Sequence, residues 1–191
     1  MLAILLISLG LLAEDTSDMI IDGYLDRLSV KTGDSVELYL HARQTMIQFK
    51  LRLYDLNGRA VDHVIVPVYP QEARDSRPYE KGFGYERTAK VAVPKLKSGV
   101  YLWDNKVPMI IRADNPKVVV VYSSNTENAY CNAGGKSLYD FNSTDSKKAK
   151  TVSFHRPIPL PRHSTDFLRW MSRQFVSDVG YITDMDMDDY S

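Results

Sequence analysis

Between Lys117 and Phe141 the chain reads KVVVVYSSNTENAYCNAGGKSLYDF, and most of the residues with chemical potential fall in or just after this stretch. Cys131 is the single cysteine. A thiol nucleophile needs a sharp strand-to-helix elbow and a histidine base. His155 and His163 follow in the chain, but the elbow pattern is absent. Gly135-Lys136-Ser137 imitates the end of a phosphate-binding loop. That loop requires a glycine five positions earlier, where this chain has Tyr130, so nucleotide binding is excluded. Asp184, Asp186, Asp188 and Asp189 carry the spacing of a calcium loop without its next glycine or its distant glutamate. They read instead as a solvated helix start or a frayed terminus.

The elements that must position these residues come next. Val118–Val121 with Tyr122 form a continuous β-branched run, the pattern of a strand buried on both faces in a parallel sheet. Ligands in such sheets sit just beyond the carboxyl ends of the strands, which is where Ser123 to Asn128 begin. Gly134-Gly135 permits close approach of backbone, to a ligand or to a neighbouring strand. Further on, Thr151–His155 reads as a second strand, and Pro157, Pro159 and Pro161 as a rigid extended connection. A helix capped by Ser164 or Thr165 follows, with Asp166 in its first turn. Its apolar face is Phe167, Leu168, Met171 and Phe175, with Trp170 beside it. It ends near Asp178, Gly180 makes the exit turn, and Val179–Thr183 is a third strand. The order predicts the start of an α/β domain over residues 117–191, too short for a complete doubly wound sheet.

Residues 23–113 have a different period. Val36, Leu38 and Leu40 alternate with polar residues, as do Phe49, Leu51 and Leu53. Asn57-Gly58 marks a tight turn, and a third strand is expected at Ala60–Val68, stopped by Pro67 and Pro70. Residues 70–86 read as a surface loop. Strands resume at Arg87–Val93, Gly99–Trp103 and Val107–Arg112. Short strands at this spacing predict a β-sandwich with a core of Val36, Leu38, Leu40, Phe49, Leu51, Leu53, Val91, Val93, Val100, Leu102 and Ile110. His41 and His63 are expected on its surface. Asp114-Asn115-Pro116 is the expected boundary between the two parts.

Composition narrows the partners. With 24 basic and 24 acidic residues, the chain has no cationic excess with which to neutralise nucleic-acid phosphates. One cysteine excludes an internal disulfide. Leu2–Ala13 has the length of a signal-peptide core, although no basic residue precedes it. Residues 1–22 therefore read as a signal peptide and polar linker, and the protein as exported, periplasmic or extracellular. If the run is not a signal, the protein is cytoplasmic. Asn142-Ser143-Thr144 is a glycosylation sequon in a eukaryotic secretory context.

Several short motifs, in order, resemble one family. They are Gly82-Phe83-Gly84-Tyr85, Ser98-Gly99-Val100-Tyr101, Asn125-Thr126-Glu127-Asn128-Ala129-Tyr130-Cys131-Asn132, Gly134-Gly135-Lys136-Ser137-Leu138-Tyr139, Val152-Ser153-Phe154-His155-Arg156-Pro157 and Tyr181-Ile182-Thr183-Asp184. Together they look like the large (beta) subunit of N,N-dimethylformamidase and its relatives, over roughly residues 23–191. The resemblance implies a β-rich region followed by a glutamine-amidotransferase-like α/β domain. It also implies hydrolysis of the C–N bond of small amides at a mononuclear iron held by tyrosine oxygens and a glutamate. It makes Tyr130 the leading iron ligand, against a reading in which its ring packs under the strand. The second tyrosine is open among Tyr85, Tyr101 and Tyr139. The ligating glutamate is expected beyond Ser191, and Glu127 does not match it. The chain is thus expected to be a partial member, completed by a further segment, a subunit or a second copy. Asn125, Thr126 and Asn132 are expected to orient a substrate amide or to make turns, with His155 at the mouth. The rival reading is a non-enzymatic exported β-sandwich protein with an interaction or glycan-binding role.

Overall fold

The computed structural model describes residues 18–174 and 179–190. The apolar run read as a signal peptide, and Phe175 to Asp178, lie outside them. Ten strands dominate. Strands β1 (Ile20–Leu25), β3 (Ser35–Ala42) and β6 (Ala89–Ala92) form an antiparallel sheet in the order β1-β3-β6. Strands β2 (Ser29–Val30), β4 (Met46–Asp55), β5 (Ala60–Val68), β7 (Gly99–Trp103) and β8 (Val107–Ile111) form a second sheet in the order β2-β8-β7-β4-β5. The last two strands, β9 (Val118–Tyr122) and β10 (Val179–Thr183), pair in parallel. Three α-helices are present among the described residues: α1 (Pro78–Lys81), α2 (Ser124–Tyr130) and α3 (Arg162–Gln174). None is long and apolar enough to cross a membrane.

The alternating sequences produce the sandwich directly. Strand β3 buries every second residue, and Val36, Leu38 and Leu40 are sealed from solvent. Phe49, Leu51, Leu53, Trp103 and Met109 meet them from the other sheet in one apolar cluster. The β4–β5 hairpin closes as Asn57-Gly58 predicts: Asp55 accepts the amides of Asn57 and Arg59 at 2.9 and 3.0 Å, and Gly58 takes φ 79°. Pro67 does not stop β5, because β5 is an edge strand where a missing N–H costs no ladder bond.

Other expectations change. Val100, Leu102 and Ile110 do not face the sandwich core; they form a second cluster with Leu56, Val120, Tyr122, Leu168, Met171 and Tyr181. Residues from both sides of Asp114-Asn115-Pro116 therefore share one apolar seam. Strand β1 begins at Ile20, inside the stretch read as linker. Strand β9 is not buried on both faces: Val118, Val119 and Val121 are 45, 42 and 38% exposed, and only β10 pairs with it among the described residues. An apolar run reports hydrophobicity and cannot say whether a neighbouring layer is present. Thr151–His155 forms no strand: the Ser153 amide donates to the Tyr79 carbonyl of α1 and the His155 carbonyl accepts the Phe83 amide, without a ladder. Helix α3 starts two residues before Ser164. It buries Leu168 and Met171, but Phe167 and Trp170 lie about half exposed against each other.

The ring of Phe49 is almost fully buried between the sheets. Phe49→Ala should cost roughly 3–5 kcal/mol through lost transfer energy and the cavity left behind. Urea unfolding followed by far-UV circular dichroism measures this; a loss under about 1 kcal/mol would mean the sheets do not pack as described.

Candidate functional site

The polar stretch after β9 is a helix, not a loop, and its cap comes from far along the chain. Ser123 makes no side-chain cap bond. Instead Asp184, the residue after β10, accepts the Asn125 amide at 3.0 Å and the Ser124 hydroxyl. The carboxylate thus meets the positive end of α2. Two residues later, buried Asp186 accepts the Thr183 amide and hydroxyl, both at 2.7 Å, and pairs with Arg112 at 2.8 Å. Burial pushes its carboxyl up, but these bonds prevail and hold it below the ordinary value of 3.8. The acidic run is therefore no solvated terminus at these two positions; it ties β10 to α2 and to the sandwich.

The loop after α2 is built around Arg156, whose side chain is fully buried. Its Nη2 donates to the Asn128 carbonyl at 2.6 Å and to Asn128 Oδ1 at 2.9 Å. Nη1 donates to the carbonyls of Ala133 and Lys136 at 2.9 and 3.0 Å, and Nε to the Ser153 carbonyl at 3.0 Å. Both terminal nitrogens of the fork are used on the backbone that ends α2 and turns toward Tyr139, and Nε ties that backbone to Ser153. The glycine pair lets this loop close. Gly134 has φ 80°, and a Cβ there would sit 2.7 Å from the Tyr79 amide nitrogen. The close approach is to the backbone of helix α1 rather than to a strand.

Held this way, the loop brings Tyr130 and Tyr139 together. Their rings stack with centroids 4.2 Å apart and planes 17° from parallel, and Phe141 lies against both. The neighbouring Tyr139 hydroxyl pushes the Tyr130 phenol above its ordinary 10.0. Both rings remain accessible, Tyr130 45% and Tyr139 37% exposed. Tyr130 therefore does not pack under the strand. The alternatives to Tyr139 are elsewhere: Tyr85 is buried and donates to Asp22, and Tyr101 donates to the Lys97 carbonyl within the sandwich.

At the other end of α2 a cavity of about 260 Å³ opens between β1–β2 and the carboxyl ends of β9 and β10. Leu25, Leu28, Val107 and Ile158 give it apolar walls, and His155 stands at its edge with its ring stacked on Tyr24. His155 is the one expected substrate contact that lines it. Asn125, Thr126 and Asn132 are exposed and outside it. Glu127 is buried beneath α3, where the Ser164 hydroxyl donates to it at 2.5 Å and His163 Nε2 lies 3.4 Å away. Cys131 Sγ contacts the Pro157 carbonyl at 3.4 Å and the Ala133 amide at 3.5 Å; neither histidine is among its hydrogen-bond partners. His41 is half-buried and accepts the Gln71 amide at 2.9 Å, whereas His63 is exposed as expected. Among the described residues no group of three or more His, Cys, Asp and Glu side chains is placed to hold a metal.

Sequence reasoning missed Arg156 and the capping role of Asp184. Arg156 did carry a signal: it stands directly before Pro157 in a proline-paced segment, where a solvated cation has no obvious use. Arg156→Met should cost roughly 3–5 kcal/mol, since several buried carbonyls lose their donor at once. It should also loosen the Tyr130–Tyr139 stack, read as a reduced tyrosine signal in near-UV circular dichroism. An unchanged signal would separate the stack from the guanidinium. Asp186, with its depressed folded pKa, stabilises the protein above its unfolded value near 3.8 and loses that contribution as pH falls through the folded value. Asp186→Asn should therefore shrink the stability difference between about pH 7 and about pH 3, measured by urea titration at each.

Comparison with known proteins yields one finding. A family model described as N,N-dimethylformamidase beta subunit-like, C-terminal, matches residues 57–191. Neither the curated proteins nor the solved structures searched gave a match. The matched span holds every motif on which the resemblance rested, together with Arg156, both stacked tyrosines and the parallel strand pair. The chain belongs to the N,N-dimethylformamidase beta subunit-like family, and residues 57–191 are its C-terminal region.

Proposed function

We propose that this chain carries part of an amide-hydrolase centre of the dimethylformamidase kind, with Tyr130 and Tyr139 as two oxygen ligands of a mononuclear iron. The observation that supports it is the stacked phenol pair, two hard oxygen donors side by side on an accessible surface. The donor set suits ferric iron, and a carboxylate from a further segment or a partner subunit completes it. In this reading β9, α2, α3 and β10 begin a glutamine-amidotransferase-like domain. When bound, the metal supplies Lewis acidity toward an amide carbonyl and toward water. The chain's own part is to hold the two oxygens. Tyr130, with its phenol raised above the ordinary value, must give up a proton on loading, so affinity rises with pH. Asn132, two residues from Tyr130, and Asn125 and Thr126 are the amide-orienting candidates. Arg156 positions the ligands without touching substrate.

The exposed platform of Tyr130, Tyr139 and Phe141 also favours a second reading, in which an exported β-rich protein stacks a sugar ring there. One pair of variants separates them. Ferric iron added to the purified chain should give a visible tyrosinate-to-iron charge-transfer band, and affinity for iron should rise with pH. Tyr130→Phe and Tyr139→Phe remove an oxygen and keep the ring. Each should weaken iron binding by at least about tenfold, equivalent to about 1.4 kcal/mol. A colourless titration, or a band untouched by both substitutions, would overturn the iron reading. Retention of oligosaccharide by the wild type and both variants would support the rival.

A further inference from the structure

The cavity at the amino end of α2 is used by nothing in the proposed centre. Tyr130 and Tyr139 lie at the opposite end of that helix, which at about 1.5 Å per residue spans roughly 10 Å. Its position is chemically meaningful. It lies beyond the carboxyl ends of both parallel strands, flanked by Tyr122 and Ser124 after β9 and by Thr183 and Asp186 after β10. Ligands of parallel sheets collect in that place. A larger depression, of about 500 Å³, lies beside Ser172 and Val179. It adjoins residues outside the described ones and carries no argument.

The polar groups around the cavity define what it can take. Most are already satisfied by protein. Ser124 donates to Asp184, Thr183 donates to Asp186, Asp186 pairs with Arg112, and Arg156 is spent on the loop carbonyls. Asp26 accepts the Glu37 amide at 2.8 Å and pairs with Arg27 at 3.2 Å. The two carboxylates at the wall are thus neutralised by the two arginines. What remains open is the His155 imidazole, which stacks on Tyr24 and has no hydrogen-bond partner for its ring nitrogens among the described residues, the outer nitrogens of Arg27, and the buried hydroxyls of Ser29 and Tyr122, which likewise have no hydrogen-bond partner among the described residues. Apolar walls with balanced charge penalise an ion, which would shed its water for no new counter-charge. They favour an apolar body with one neutral acceptor facing His155 and Arg27.

We propose that this cavity is a binding site for a small uncharged amphipathic molecule, an apolar body of about ten heavy atoms bearing a neutral carbonyl or hydroxyl, a size in keeping with pockets of about 300 Å³. The site is separate from the Tyr130–Tyr139 pair. Because its walls come from the sandwich and from the parallel pair together, occupancy bridges the two.

The test uses the whole chain and three isosteric probes: acetanilide, benzoate and benzylammonium, followed by amide NMR shifts. Acetanilide should saturate with its shifts confined to residues around Leu28, His155 and Met185. The two ions should bind at least about tenfold more weakly. Met185, which is 43% exposed at the cavity wall, can be enlarged without touching the core. Met185→Trp should abolish acetanilide binding, and His155→Ala should weaken it. Tyr130→Phe should leave it unchanged, so that failure of the iron centre and failure of this site give different results. Scattered or absent shifts, equal binding of either ion, or undiminished binding to Met185→Trp would overturn the proposal.

Discussion

One buried guanidinium organises the part of this protein that could do chemistry. Arg156 is a full charge with no access to water, and its hydrogen-bond acceptors are neutral oxygens of Asn128, Ala133, Lys136 and Ser153. Burial disfavours its charged form, as the downward shift of its pKa records. Yet arginine does not give up its proton at ordinary pH, so the cost is met by hydrogen bonds to an ion, each stronger than a neutral one. The consequence is geometric. Residues 131–139 have no helix or ladder to fix them, and the guanidinium fork supplies the missing template. Lysine, with one nitrogen and no planar fork, could not hold four separate backbone carbonyls at once.

The loop so fixed rests on a second constraint, the apolar seam between sandwich and parallel pair. Val100 and Ile110 turn away from the sandwich core to meet Val120, Tyr122 and Tyr181, with Leu168 and Met171 of α3 closing the cluster. A two-stranded parallel sheet is not stable by itself. Here it is seated on a sandwich that supplies half of its core. Gly180 makes the seating possible, since a Cβ there would come within 2.6 Å of Pro116. The arginine pair of Asp186 and the Asp184 cap then lock the exit of β10 onto the sandwich and onto α2.

Much of this was legible in the sequence where the signal is local. Alternation gave β3, β4 and β7 to within a few residues, the Asn57-Gly58 turn fixed the hairpin, and Val179–Thr183 came out with its observed bounds. What was not legible depends on partners distant in the chain. Helix α2 is short and lacks a cap of its own, so no reading of residues 123–130 can find a carboxylate at residue 184. Strand β9 carries the same valines whether or not another layer covers it. The choice of Tyr139 over Tyr85 and Tyr101 needed the loop to close, and the loop closes through Arg156, Gly134 and the hydroxyl network of Ser137, Asn142 and Ser143.

Family membership and geometry together limit what this chain can do by its own residues. Catalysis of amide hydrolysis requires a group that polarises the carbonyl and a group that manages protons at the same atom. At the phenol pair the chain offers two stacked phenols, and its nearby buried carboxylate, Glu127, is turned inward to Ser164 and His163. At the cavity it offers an imidazole, apolar walls and the buried Tyr122 hydroxyl, which has no hydrogen-bond partner among the described residues and which burial, together with the charges of Glu127 and Asp184, holds protonated. The phenol pair and the cavity thus stand at opposite ends of α2 as separate features. In the proposed reading the phenol pair forms one wall of a larger active centre, with Arg156 setting the position of that wall.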